Sequence, residues 1–188
     1  MPAVDALRWN ARYREGRHEY AGGPRPFLTE NAHHLPTQGW ALDVAMGRGA
    51  AAGFLIKRGL NVIGADIASV AVRGAKADWP TLHAVVADLT CFELRAASVD
   101  VIVNFYYLER SLWPAYKRML KPGGVLVLET LTQAMCLSQP DTDPAFLLAP
   151  GELSQAFADW EILDYREGWN APQGRSRRAT AGIVARRP

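Results

Sequence analysis

Trp40-Ala41-Leu42-Asp43-Val44-Ala45-Met46-Gly47-Arg48-Gly49 is a short apolar run, broken only by Asp43, that runs into two glycines at alternating positions. An Ala-rich, helix-compatible stretch follows to Arg58 and is closed by Gly59. A strand that turns sharply into a helix through a Gly-x-Gly loop starts a βαβ unit, because glycine lets the backbone turn tightly and approach a ligand. Outward from this stretch the same alternation repeats. Apolar runs over 61–67, 82–88, 98–107 and 125–131 are separated by helix-compatible segments at 68–77 and 111–120. Ser111 is the expected N-cap of the second. Such continuously apolar runs predict a buried parallel sheet with helices on both faces. Two last strands, 161–169 and 178–187, have no helix between them and are expected as an antiparallel pair at one edge.

The rest of the chain supports one α/β domain over 1–188, with a helical lid over 1–38 and a Rossmann-like core over 39–188. Val4–Tyr20 and Phe27–Leu35 read as helices, split by Gly22-Gly23-Pro24-Arg25-Pro26. Lys121-Pro122-Gly123-Gly124 reads as a hard turn. The 188 residues carry 49% hydrophobic and 21% charged side chains, which excludes a disordered, collagen-like or coiled-coil chain. The net charge of +2 argues against a dedicated nucleic-acid binder. The balance is uneven: five Arg against three acids over 1–25, ten basic against fifteen acidic groups over 26–164, and six Arg against Glu167 alone over 165–188. No stretch approaches a membrane span, and charges from Asp5 onward leave no signal-peptide core. Cys91 and Cys136 form no framework, which suits a reducing, cytoplasmic setting. His33 and His34 lack partners at metal-ligand spacing, so no metal is expected.

Ligands of such sheets bind at the carboxyl ends of the strands. Three consecutive strands carry an acid at or near that end: Asp43 before the glycine loop, Asp66 nineteen residues after Gly47, and Asp88. Asp66 is placed to accept from ribose hydroxyls, and Asp88 or the backbone beside it to meet an adenine amino group. A carboxylate beside the loop is poorly suited to a pyrophosphate and well suited to a ligand with an amino or sulfonium cation.

These strings resemble those of the class I S-adenosylmethionine-dependent methyltransferases. Residues 42–49 look like the first motif of that class, Ile63-Gly64-Ala65-Asp66-Ile67 like the second and Val86-Ala87-Asp88-Leu89 like the third. Asp100-Val101-Ile102-Val103 and Leu120-Lys121-Pro122-Gly123-Gly124 look like later ones. Within the class, Trp9-Asn10-Ala11-Arg12-Tyr13, residues 105–110 and residues 147–153 are most similar to the tellurite-resistance and thiopurine methyltransferase-like group.

The resemblance implies a seven-stranded sheet of order 3-2-1-4-5-7-6 with strand 7 antiparallel. It implies S-adenosyl-L-methionine as cofactor and S-adenosyl-L-homocysteine as product. The cofactor-binding residues it implies are Trp9, Tyr13, Asp43, Ala45, Met46, Gly47, Gly49, Asp66, Ile67, Asp88, Leu89 and Asn104. The chain departs from the class at Ala45, where glycine is usual, and at Met46.

In-line transfer from a sulfonium needs alignment and exclusion of water more than acid–base groups. No paired carboxylates and no Ser/His/Asp or Cys/His set stand at the expected mouth, so no general base is assigned. A small acceptor that is already anionic, a thiol or a metalloid oxyanion, is therefore expected, positioned by Tyr107 and Arg110. Arg110 has a solvated alternative, paired with Glu109. The arginines at 175, 177 and 178 either steer an anion or guard a hairpin tip, and Arg8, Arg12 and Arg17 read as a polar helix face. Asn104-Phe105-Tyr106-Tyr107 lacks the prolines of amine-methylating members. A monomer or homodimer is expected. Two alternatives remain: a cofactor-binding module without turnover, and an NAD(P)-linked oxidoreductase, since Gly47, Gly49 and Gly53 fit a Gly-x-Gly-x-x-x-Gly spacing.

Overall fold

The computed structural model describes residues 2–16, 23–170 and 177–188. Its elements run in the expected order: α1 (Pro2–Arg14), α2 (Pro26–Glu30), β1 (Trp40–Val44), α3 (Ala50–Lys57), β2 (Asn61–Asp66), α4 (Ser69–Asp78), β3 (His83–Val86), β4 (Val99–Phe105), α5 (Trp113–Met119), β5 (Leu120–Leu131), α6 (Glu152–Ala156), β6 (Glu161–Asn170) and β7 (Arg178–Arg186). One seven-stranded sheet has the order β3-β2-β1-β4-β5-β7-β6. β1 to β5 are mutually parallel, and β7 is antiparallel to both β5 and β6. The sequence direction reverses at β1, so β1 and β4 flank the switch point where such sheets bind ligands.

Strand alternation divides the core between the two sheet faces. Leu42, Ile102, Leu126, Leu128 and Ile183 face α5 and α6 with Tyr116, Phe157 and Trp160. Ala41, Val101, Val103, Val127 and Val184 face α2 and α3 with Phe27, Leu28 and Leu55. Two glycines set close packing. A Cβ at Gly64 would lie 2.1 Å from the Met46 sulfur, and one at Gly182 would lie 2.9 Å from the Phe27 ring. Met46 is thus a core side chain tucked beneath the loop against β2.

Four local expectations change. β3, at the edge as the strand order implies, is largely exposed rather than buried, with Val86 54% exposed, and among the described residues no strand pairs with its outer side. Residues 121–124 lie within β5 rather than in a free turn. The Gly123 N–H donates to the Arg187 carbonyl at 2.8 Å, and the pairing to β4 shifts register between Val99 and Val101. The turn before α5 is capped by the Glu109 carboxylate, which accepts from the Ser111 N–H at 3.1 Å, so Ser111 is the capped residue and not the cap. The first helix ends at Arg14, and the expected extension from Arg17 to Tyr20 lies outside the described residues, as does Arg175. No described helix is long and apolar enough to cross a membrane. Among the described residues no group of three or more His, Cys, Asp or Glu could hold a metal ion.

Candidate active site

The loop after β1 has a left-handed backbone at three alternating positions, with φ of +54° at Ala45, +55° at Gly47 and +75° at Gly49. Glycine adopts this conformation freely. An L-residue does so at a cost of roughly 1–2 kcal/mol, so the departure at Ala45 carries strain. Two buried carboxylates hold the loop. Asp66 accepts from the N–H groups of Gly47 and Ala68, both at 2.8 Å, and so ties the loop to the entry of α4. Asp43 accepts from the Ala52 N–H at 2.9 Å and so caps α3 from inside the sheet.

Burial lifts the Asp43 carboxyl to about 7, with repulsion from Asp66 adding to it. Burial also raises Asp66, against the pull of its backbone donors at Ala68, Gly47 and Ile67. Neither carboxylate has a salt bridge among the described residues. Two desolvated acids without a protein cation are what an ammonium or sulfonium ligand would complement. Two of the roughly four lone-pair directions of Asp66 go to the backbone N–H groups of Gly47 and Ala68, which leaves room for ribose hydroxyls.

The other expected cofactor residues surround this loop. Ile67 follows β2. Asp88 caps a short turn by accepting from the Thr90 N–H at 3.0 Å, with Leu89 buried beside it. Asn104 is 1% exposed at the end of β4. Its Nδ2 donates to the Tyr116 hydroxyl at 2.9 Å, and its Oδ1 is buried without a partner. α1 lies over the loop. Trp9 and Tyr13 form a tilted ring pair with centroids 6.3 Å apart, and a Cβ on Gly47 would come within 2.6 Å of the Tyr13 hydroxyl. Burial pushes the Tyr13 phenol far above its usual range, with Asp66 and Asp43 adding to the shift. Asn10, which had no assigned role, accepts from the Val70 N–H at 2.8 Å and so pins α1 to the start of α4.

On the acceptor side the structure departs from expectation. Arg110 is engaged within the chain. Its guanidinium grips both carboxylate oxygens of Glu152, not Glu109, and donates to the carbonyls of Ala145 at 3.2 Å and Leu147 at 3.0 Å. It is a clamp that holds the segment before α6. Tyr107 packs partly against the core on the α5 side, and burial raises its phenol far above the usual range with Glu109, Asp88, Asp5 and Asp66 adding to the shift, so it stands on the side of the cofactor acids, while Tyr106 lies on the α2 side with Arg25 and Phe27. Tyr106 has φ of +59°, and its N–H donates to the Glu129 carbonyl at 2.9 Å. A bulky residue held in this conformation is strained, which marks a position that the surroundings dictate.

Tyr106 lines a cleft of about 390 Å³ with Arg25, Phe27, Glu129, Arg166 and Trp169, among others. Arg25 and Arg178 flank its ring, 4.3 and 5.2 Å from the centroid. Arg166 is paired with Glu30 and Asp164, and Arg177 stacks on Trp169 at 5.8 Å. Local sequence could not assemble this cleft, because its walls come from positions 25, 106, 129, 166 and 178. Glu129 at the end of β5 was the one visible signal, an acid at a fourth strand end.

Residues 41–124 match a family model described as a methyltransferase domain. A probable S-adenosylmethionine-dependent methyltransferase of Mycolicibacterium smegmatis is 33% identical over 95 residues, which is 47% of this chain and 37% of that protein. The chain thus matches well under half the length of this curated relative. Among solved structures, TehB from Haemophilus influenzae superposes with a TM-score of 0.75 at 18% identity, covering 95% of this chain and 67% of that one. A TehB-like methyltransferase from Corynebacterium glutamicum gives 0.68 at 20% identity over 97% and 99% of the two chains. The central segment, residues 41–124, is thus similar to a methyltransferase domain, and the chain shares the fold and seven-stranded sheet of these solved structures.

Proposed function

We propose that this protein transfers the methyl group of S-adenosylmethionine to a small acceptor by in-line displacement. The observation that carries the proposal is the pair of buried acids, Asp43 and Asp66, beside a loop with three left-handed residues. They supply what a nucleoside bearing a cationic amino-acid tail requires. Asp66 takes a ribose hydroxyl, the Asp88–Leu89 segment borders the adenine, and Trp9 and Tyr13 cover the ligand and exclude water. A methyl on the sulfonium needs no further activation, so these residues act by placement. The acceptor enters the Tyr106 cleft, where Arg25 and Arg178 favour an anionic group. It is small and anionic, with a thiol or metalloid centre as nucleophile. The sheet register supports a cofactor site and an acceptor site that are neighbours. Val44 pairs with Asn104, and Phe105 pairs with Glu129, so the end of β1 and the cleft floor are two strand spacings, about 10 Å, apart across β4.

Calorimetric titration with S-adenosylhomocysteine and with NADP tests the cofactor assignment. The first binds, and Asp66→Ala weakens it by about 1–3 kcal/mol through loss of charge-assisted bonds. Binding of NADP with no heat from S-adenosylhomocysteine would overturn the proposal.

A further inference from the structure

The cleft beside the loop contains one group that placement alone does not employ. Glu129 is 8% exposed on its floor, at the end of β5 and one strand from Phe105. A polar chain orients it. Asn170 Nδ2 donates to Thr180 Oγ1 at 2.7 Å, so the hydroxyl proton is directed to Glu129 Oε1 at 3.3 Å. Further charges of the cleft form pairs and hydrogen bonds of their own. Arg166 is paired with Glu30 and Asp164, and Glu167 bonds the Tyr165 hydroxyl and, at 3.0 Å, the Gly151 N–H. The cleft presents Arg25 and Arg178, 4.3 and 5.2 Å from the centroid of the Tyr106 ring, together with the buried Glu129 carboxylate. A multiply charged oxyanion would be repelled by that carboxylate. A molecule with one anionic group and a nucleophile that still carries its proton would satisfy both ends.

Resting on the methyl-transfer function proposed above, we infer that Glu129 is the general base of the reaction and that the acceptor pairs an anionic group with a protonated nucleophile. In the step, the acceptor's heteroatom forms a bond to the methyl carbon while the carbon–sulfonium bond breaks. The electron pair of the broken bond stays on sulfur, which becomes the neutral thioether. The acceptor's proton passes to Glu129 Oε and then to solvent. Burial raises the Glu129 carboxyl above its usual range, which strengthens it as a base, while Arg25 and Arg166 hold it back from rising further. The groups facing it are Arg25 and Glu30 from the α2 side, Tyr106 after β4, Arg166 on β6 and Thr180 on β7.

Two probes separate this role from a structural one. Mercaptoacetate carries a carboxylate and a thiol that is protonated at neutral pH, whereas thionitrobenzoate carries a carboxylate and a thiolate already ionised there. Formation of S-adenosylhomocysteine is followed with each, in the wild-type protein and in Glu129→Gln, with S-adenosylhomocysteine affinity as the check on folding. The variant is expected to lose about 10²–10⁴-fold in kcat/KM with mercaptoacetate and to keep or raise its rate with thionitrobenzoate, whose thiolate the Glu129 carboxylate repels. Raising the pH should restore the variant's rate with mercaptoacetate as the thiol ionises. An equal loss with both probes would overturn the base assignment and leave Glu129 a positioning residue. Turnover of neither probe by wild-type protein that binds S-adenosylhomocysteine would overturn the cleft as the site of such acceptors. Failure to bind S-adenosylhomocysteine would overturn the methyl-transfer function itself.

Discussion

Gly47→Ala tests whether α1 is docked on the loop. The substitution has two separable costs. Gly47 sits at φ of +55°, where alanine costs roughly 1–2 kcal/mol, offset by about 0.4–1 kcal/mol because alanine has fewer unfolded conformations to lose. The added methyl would also lie 2.6 Å from the Tyr13 hydroxyl, which must then move from a largely buried place. Overpacking of this kind costs about 1–3 kcal/mol. Tyr13→Phe removes the hydroxyl and leaves the ring carbon Cζ at 3.6 Å, an ordinary contact. Gly47→Ala should therefore cost about 2–4 kcal/mol in the wild-type background and about 1 kcal/mol in Tyr13→Phe. The cycle should yield a coupling of at least about 1 kcal/mol. Thermal unfolding followed by circular dichroism reads this directly, since 1 kcal/mol shifts Tm by about 2–4 °C in a chain of this length. Equal Tm losses in the two backgrounds would mean that Tyr13 does not rest on Gly47, and the lid placement of α1 would fall with it.

Three further outcomes are expected. The Asp43 carboxyl stands at about 7 in the fold against 3.8 ordinarily, so the fold favours its neutral form. The stability this contributes is full below pH 4 and is lost as pH rises to 7. A cationic ligand reverses the preference, so binding S-adenosylmethionine at pH 6 should release a proton, seen as a heat that changes with buffer ionisation enthalpy; Asp43→Asn should abolish that dependence, and its persistence would refute the assignment. Arg110→Ala should lower Tm by a few degrees, for about 1–2 kcal/mol of partly exposed charge-assisted bonds, without raising the acceptor KM, whereas a higher KM at unchanged Tm would return Arg110 to the acceptor site. Ala45→Gly should be neutral to about 1 kcal/mol stabilising and Ala45→Val strongly destabilising, and a flat series across Gly, Ala and Val would contradict the left-handed backbone there.

Much of the architecture was legible because it rests on local rules. Apolar runs ending in acids, a Gly-x-Gly loop and the absence of a helix between the last two strands point to a parallel sheet with an antiparallel edge pair, the motif resemblance supplies the strand order, and Ala45 departs from the class at a position whose φ is positive. The expectations that changed depend on which partner a side chain meets. Arg110 was correctly placed after β4, but its partner Glu152 lies 42 residues away. Tyr106 and Tyr107 alternate as expected of neighbours, yet the left-handed turn at Tyr106 decides which of them enters the cleft.

The sequence by itself determined the order of elements and the row of acids at the strand ends, because period, turn chemistry and glycine placement act over a few residues. Only the tertiary structure decided what those acids touch. Burial removed Asp43 and Asp66 from solvent and engaged them with backbone N–H groups. Sheet pairing brought Glu129 opposite Phe105 and Gly182, and carried Arg25 and Arg178 to the same aromatic ring. A site assembled from distant positions has no local pattern, since its geometry is set by strand register and by the volume of the side chains between.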